Sequence, residues 1–217
     1  MAEERPRAAI AEPAPLGLGA FALTTFVLSA HNAGWAPDVM WIGLALFYGG
    51  LAQFMAGMWE FRAGNTFGAT AFSTYGAFWL SLGTFAVLRL LDRVPLSGAE
   101  VLRGLGWFLL AFAIFNTYML LWSTRVSVAV FLVFLALEVT LILLAAGFLL
   151  EDAAGEGLVM AGGYAGVVTA AIAWYASAAG VVNSMAGRPV LAVGPPLWRE
   201  REPGAPLAPA PRPARAA

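Results

Sequence analysis

The chain has 217 residues, of which 60% are hydrophobic and 12% charged, with a formal net charge of −1. Soluble domains carry about 25% charged residues, so too little polar surface remains here to cover a water-soluble globule. That excludes a soluble enzyme and a disordered protein, and the near-neutral charge leaves no electrostatic footprint for nucleic acid. The absence of Cys and the single His leave no material for a thiolate or multi-histidine centre, so no metal and no cofactor are expected.

Six apolar windows are long enough to cross a bilayer, which asks for about 20 residues per helix. They run from Leu16 to Ala33, Asp38 to Phe61, Thr66 to Leu91, Glu100 to Trp122, Val126 to Leu150 and Leu158 to Val182. Turn chemistry separates them, as at Asn32-Ala33-Gly34, Arg62-Ala63-Gly64-Asn65 and Asp92-Arg93-Val94-Pro95. The runs are continuous rather than alternating, which argues against a β-barrel. The expected fold is an all-α membrane protein, a bundle of six transmembrane helices. Residues 1–15 form a tail, 16–183 the membrane domain and 184–217 a Pro/Ala-rich tail that from Pro195 onward is expected not to pack. The leading tail lacks a clean basic region, so the first window reads as a retained helix, not a cleaved signal. With both tails on one side, that side holds Arg5, Arg7, Arg62, Arg125, Arg188, Arg199, Arg201, Arg212 and Arg215. The other side holds only Arg89, Arg93 and Arg103. The tails are therefore expected in the cytoplasm, with the chain in the cell's inner membrane.

Function in such a chain is sought among polar groups that the bilayer penalises. In window one, Phe21 and the Thr24-Thr25 pair follow a double-proline start, and His31 and Asn32 close the helix. In window two, Gln53 and Glu60 are seven residues apart and share a helix face. That face lines a water path, or else Gln53 joins helices and Glu60 is an end charge. Window three opens at Asn65-Thr66, an N-cap signal whose free N–H groups suit an anion; a plain cap at the lipid surface is the competing reading. Thr70, Ser73 and Thr74 then make a hydroxyl stripe that either lines a pore or packs helices. Asn116 and Thr117 lie in window four, and Glu138 near the middle of window five is a functional candidate by depth alone.

Several blocks resemble the succinate/acetate permease family, also called acetate uptake transporters. They are Pro13-Ala14-Pro15-Leu16-Gly17-Leu18 with Phe21 and Thr24-Thr25, Phe47-Tyr48-Gly49-Gly50-Leu51-Ala52-Gln53, Gly64-Asn65-Thr66-Phe67-Gly68 through Tyr75, and Gly187-Arg188-Pro189. The resemblance implies a homo-oligomeric, hexameric ring with one pore per subunit. It implies an apolar constriction of Phe21, Tyr75 and Leu137, and polar sites at Gln53, Asn65, Thr66 and the neighbouring hydroxyls Thr70 and Ser73. Two residues depart from the family pattern: Glu12 stands where an Asn is usual, and Glu138 adds a carboxyl beside Leu137. Pointing into the pore, Glu138 would disfavour an anion; pointing toward a neighbour, it would leave selectivity unaltered.

The expected function is passage of acetate or similar small carboxylates, succinate among them, across the bilayer, with Glu60 and Glu138 as candidate proton carriers. The competing readings are a channel for neutral solutes such as urea, ammonia or amides, and a non-transporting scaffold or sensor. No Ser/His pair, HExxH motif or paired carboxylates point to an intramembrane enzyme.

Overall fold

The structure is a computed structural model and describes residues 10–198. Six long helices cross it: α1 (Ala14–Asn32), α2 (Met40–Ala63), α3 (Thr66–Leu90), α4 (Gly98–Ser123), α5 (Val128–Leu149) and α6 (Gly157–Ala186). Each starts and stops within two residues of its sequence window, except that α6 runs four residues past Val182. The helical domain also reaches beyond the expected 16–183 at both ends. Pro13 caps α1, where a missing N–H costs nothing, and Gly187 stops α6 in the left-handed conformation (φ 63°).

The caps inside the chain follow residue chemistry. Asn65 Oδ1 accepts the Gly68 N–H (3.1 Å), and Ser97 with Glu100 closes a reciprocal capping box at the start of α4. The middle of α2 was not foreseen. From Phe47 to Ala52 its backbone widens into a π-helical turn, which adds a residue without changing the apolar run and so leaves no mark on hydropathy.

The helices stand in a ring. α1 packs on α6, α6 on α5, α5 on α4, α2 on α3 and α1 on α2, while α3 and α4 hardly meet backbone to backbone. Aromatic rings span that wide gap: Phe78 stacks on Phe108 at 5.2 Å and meets Phe112 edge-on at 4.8 Å. The α2–α3 seam is tight by contrast. A Cβ at Gly76 would stand 2.6 Å from the Phe54 backbone nitrogen, and one at Gly57 would collide with Ser73. Large apolar side chains such as Phe47, Trp107, Ile114, Leu121 and Ile142 face outward, as expected where lipid tails are the solvent.

The chain after Gly187 stays on the bundle as far as Trp198, which corrects the expectation of no packing from Pro195 for residues 195–198; the rest of that tail lies outside the described residues. Ala129 N–H donates to Val193 O (2.9 Å), Tyr175 hydroxyl to Ala192 O (2.7 Å) and Trp198 N–H to Thr124 O (3.0 Å). The Trp198 ring stacks on Trp122 at 6.2 Å, with the Arg125 guanidinium over both. The arginines Arg5, Arg7, Arg199, Arg201, Arg212 and Arg215, on which the tail-side excess rests, lie outside the described residues.

Candidate functional site: two cavities and a neck

Two cavities occupy the centre of the ring. The larger, about 480 Å³, lies toward the end where α1 closes and α6 begins, with Thr25, His31, Asn32, Trp79, Arg89 and Phe148 in its wall. The smaller, about 80 Å³, lies toward the opposite end with the tails, between Ala14, Leu18, Gln53, Asn65, Phe67 and Val130. The two walls share three residues: Phe21 of α1, Tyr75 of α3 and Leu137 of α5. All three are buried, and the Phe21 and Tyr75 rings meet edge to face at 5.9 Å. Three helices thus each push one bulky side chain into the axis, leaving an apolar neck between two wider spaces.

Tyr75 is the most constrained of the three. Its ring also lies against Phe78, Phe112, Phe115 and Phe134 at 5.5–6.5 Å between centroids. Its hydroxyl donates to Asn116 Oδ1 at 2.7 Å. The Asn116 amide nitrogen donates to Phe134 O (3.0 Å) and to Glu138 Oε2 (2.7 Å), and the Thr117 hydroxyl reaches Glu138 Oε1 (2.7 Å). Glu138 therefore faces α4 and lines neither cavity. Of the two orientations weighed from sequence, it takes the one that spares the pore an added charge.

The other expected residues divide. Gln53 lines the smaller cavity, buried to 1% exposure, and its Oε1 meets no protein partner. Asn65 lines the same cavity while capping α3, and its amide donates to Glu60 Oε2 (2.8 Å). Glu60 stands behind it, buried, with Oε1 unpartnered by protein. Thr66, Thr70 and Ser73 line neither cavity. Thr66 is exposed, and Ser73 faces the α2 seam against Gly57. The hydroxyl stripe thus packs α3 at Ser73 and leaves the two cavities without its hydroxyls.

In the larger cavity, Thr25 Oγ1 and Trp79 Nε1 are buried without a protein partner. At its rim His31 Nε2 lies 3.2 Å from Asp38 Oδ1, which also accepts the Trp41 indole N–H (3.0 Å). His31 is a partnered end residue, its Nδ1 also 3.2 Å from Ala36 O. Thr25, Trp79 and Asn116 carry more of the site than the sequence suggested. The available signal was the cost of a polar atom at membrane depth, which each of them shares with many hydroxyls that only pack.

A protein-family model described as the GPR1/FUN34/yaaH family matches residues 1–193. The chain belongs to this family. Among relatives, "Acetate permease A" of Emericella nidulans is 45% identical over 187 residues, covering 80% of this chain and 62% of that protein. "Succinate-acetate/proton symporter SatP" of Escherichia coli K12 is 37% identical over 186 residues, covering 85% of this chain and 96% of that one. Among solved structures, the bacterial acetate channel SatP superposes with a TM-score of 0.79 at 36% identity, covering 86% of this chain and all of that one. The chain thus spans less than two thirds of the fungal relative and nearly the whole of the bacterial one. Membership in the GPR1/FUN34/yaaH family agrees with the resemblance read from the Pro13–Leu18, Phe47–Gln53 and Gly64–Gly68 blocks, and with a multi-pass membrane protein of six helices.

Proposed function

We propose that the chain is the pore-forming subunit of a transporter for acetate and similar small carboxylates, succinate included. The observation that carries this reading is the pair of cavities toward opposite ends of one subunit, whose walls share Phe21, Tyr75 and Leu137 among the described residues. The names of the relatives support the substrate class.

A carboxylate entering the larger cavity trades water for the Trp79 indole N–H and the Thr25 hydroxyl. On the far side of the neck the Gln53 NH₂ is the group that donates to it, since the unpartnered Oε1 only accepts. Single hydrogen bonds of this kind hold weakly, as conduction requires, since a pore must release what it binds. The neck passes a methyl end and rejects larger or more strongly hydrated species. Glu60 sits beside the smaller cavity's Asn65 with one oxygen open, and it is the carboxyl through which a proton would couple to transport. Glu138 is off the path and is not given that part. The chain works as a transporter and not an enzyme. We place it in the cytoplasmic membrane with both tails inside, as a homo-oligomer, hexameric by family likeness, with each pore contained in one subunit.

Labelled-acetate uptake into proteoliposomes tests the core of this reading. Uptake above empty vesicles, competed by unlabelled acetate, is expected; none at any of several pH values overturns it. Urea and ammonia permeability by stopped flow separates a neutral-solute channel, and a trapped pH indicator reads proton coupling. Native mass spectrometry reads the oligomer, and protease protection of tail tags reads the orientation.

A further inference from the structure

The hydrogen bonds behind Tyr75 can each be given a direction. Asn116 is fully buried, and its amide lies among three partners: the Tyr75 hydroxyl, the Phe134 carbonyl and the Glu138 carboxyl. The last two present acceptors to the same end of the amide. Only the NH₂ end satisfies them, so the carbonyl end must face Tyr75. An amide oxygen donates nothing, and the Tyr75 hydroxyl therefore spends its one hydrogen on Asn116. Glu138 enforces this from outside the pore. Turned over, the Asn116 amide would set its oxygen against a carbonyl and a carboxyl together. The Asn116 and Thr117 donors on its two oxygens hold Glu138 in place in turn.

We propose that Asn116 and Glu138 are positioning residues that commit the Tyr75 hydroxyl hydrogen to the protein, so that the neck keeps one width and offers a passing carboxylate no donor. This rests on the transport reading above and extends it to the α4–α5 outer surface. Tyr75 is then a wall, and binding is confined to the cavities on either side. Freed of Asn116, the hydroxyl would turn toward the axis and grip the solute, and the ring would gain room to yield to a larger one.

The test compares Glu138→Leu with Glu138→Gln in the full-length protein. The glutamine keeps the pattern, since its oxygen accepts from Asn116 and its nitrogen donates to Thr117 Oγ1, leaving the Thr117 hydrogen for Ala113 O. One readout is the butyrate-to-acetate ratio of initial uptake rates. Glu138→Leu is expected to raise it about threefold or more and Glu138→Gln to hold it near wild type, a change in selectivity beyond a loss of rate. The second readout needs no transport. It is the infrared C–O stretch of ring-labelled tyrosine, with Tyr75→Phe subtracted to isolate the Tyr75 band. That band is expected to be donor-like in wild type and Glu138→Gln and displaced in Glu138→Leu. Asn116→Ala removes the Tyr75 acceptor outright and is expected to move both readouts further than Glu138→Leu, where the Phe134 carbonyl still holds one Asn116 N–H; it also decides the test should Glu138→Leu not fold. An unmoved Tyr75 band, or a Glu138→Gln that moves as far as Glu138→Leu, overturns the proposal. Vesicles that take up no acetate at all sink the transport reading instead, and the tyrosine band still decides this one.

Discussion

At the neck, Tyr75, Asn116, Thr117 and Glu138 use one another's donors and acceptors, while in the cavities to either side Thr25, Trp79 and Gln53 each bury a polar atom that meets no protein partner. Only the second arrangement leaves groups unsatisfied in a low-dielectric interior, at about 1–3 kcal/mol each. Buried polar groups are paired in the great majority of cases, so the contrast separates two kinds of work. The closed network holds a shape. Under the proposed function, the Trp79 indole N–H and the Thr25 hydroxyl are the donors offered to a passing carboxylate, while the equally unpartnered Ser73 Oγ lies in the α2 seam.

The largest expected effect comes from filling the neck. Leu137→Trp should cut acetate uptake in proteoliposomes about tenfold or more, because an indole added against the Phe21 and Tyr75 rings fills the space between the two cavities; uptake near wild type would show that solute does not cross between Phe21, Tyr75 and Leu137. Phe21→Ala works in the other direction. It removes one wall of the neck and should raise butyrate uptake relative to acetate severalfold, at a stability cost of about 3 kcal/mol for the emptied volume, read by thermal unfolding in detergent.

Smaller effects sharpen the cavity side of the contrast. Trp79→Phe and Thr25→Val delete one hydrogen-bonding group each, and each should raise the half-saturation concentration for acetate about fivefold, the worth of one hydrogen bond of about 1 kcal/mol. Neither atom has a protein partner to lose, so the melting temperature should hold or rise. A large fall in stability with unchanged half-saturation would show that these groups serve packing. Ser73→Ala should have the least effect on transport, since Ser73 faces the α2 seam and neither cavity. Asn65→Ala should cost about 1 kcal/mol as a lost helix cap, seen as a melting temperature lower by a few degrees.

Much of the architecture was legible in the residues themselves. The number, type and approximate ends of the helices follow from apolar run length and turn chemistry, because bilayer thickness sets the first and unsatisfied backbone groups set the second. Asn65 as a cap was readable for the same reason, the side-chain oxygen being placed by local geometry alone. The π-helical turn over Phe47–Ala52 was not legible, since widening a turn changes hydrogen-bond register and not hydropathy.

What the sequence determined by itself, then, was a six-helix membrane bundle of this family with polar residues at known depths. The tertiary structure decided which way each of those residues turns. Periodicity fixes which side chains share a face of one helix, but not which neighbour that face meets. Thr70 and Ser73 were equally suited to a pore or a seam until the close approach at Gly57 took Ser73 into the seam. Glu138 had no readable direction until α4 brought Asn116 and Thr117 to it. The neck is the same case at larger scale, for Phe21, Tyr75 and Leu137 sit far apart in the chain and become one constriction only where three helices converge.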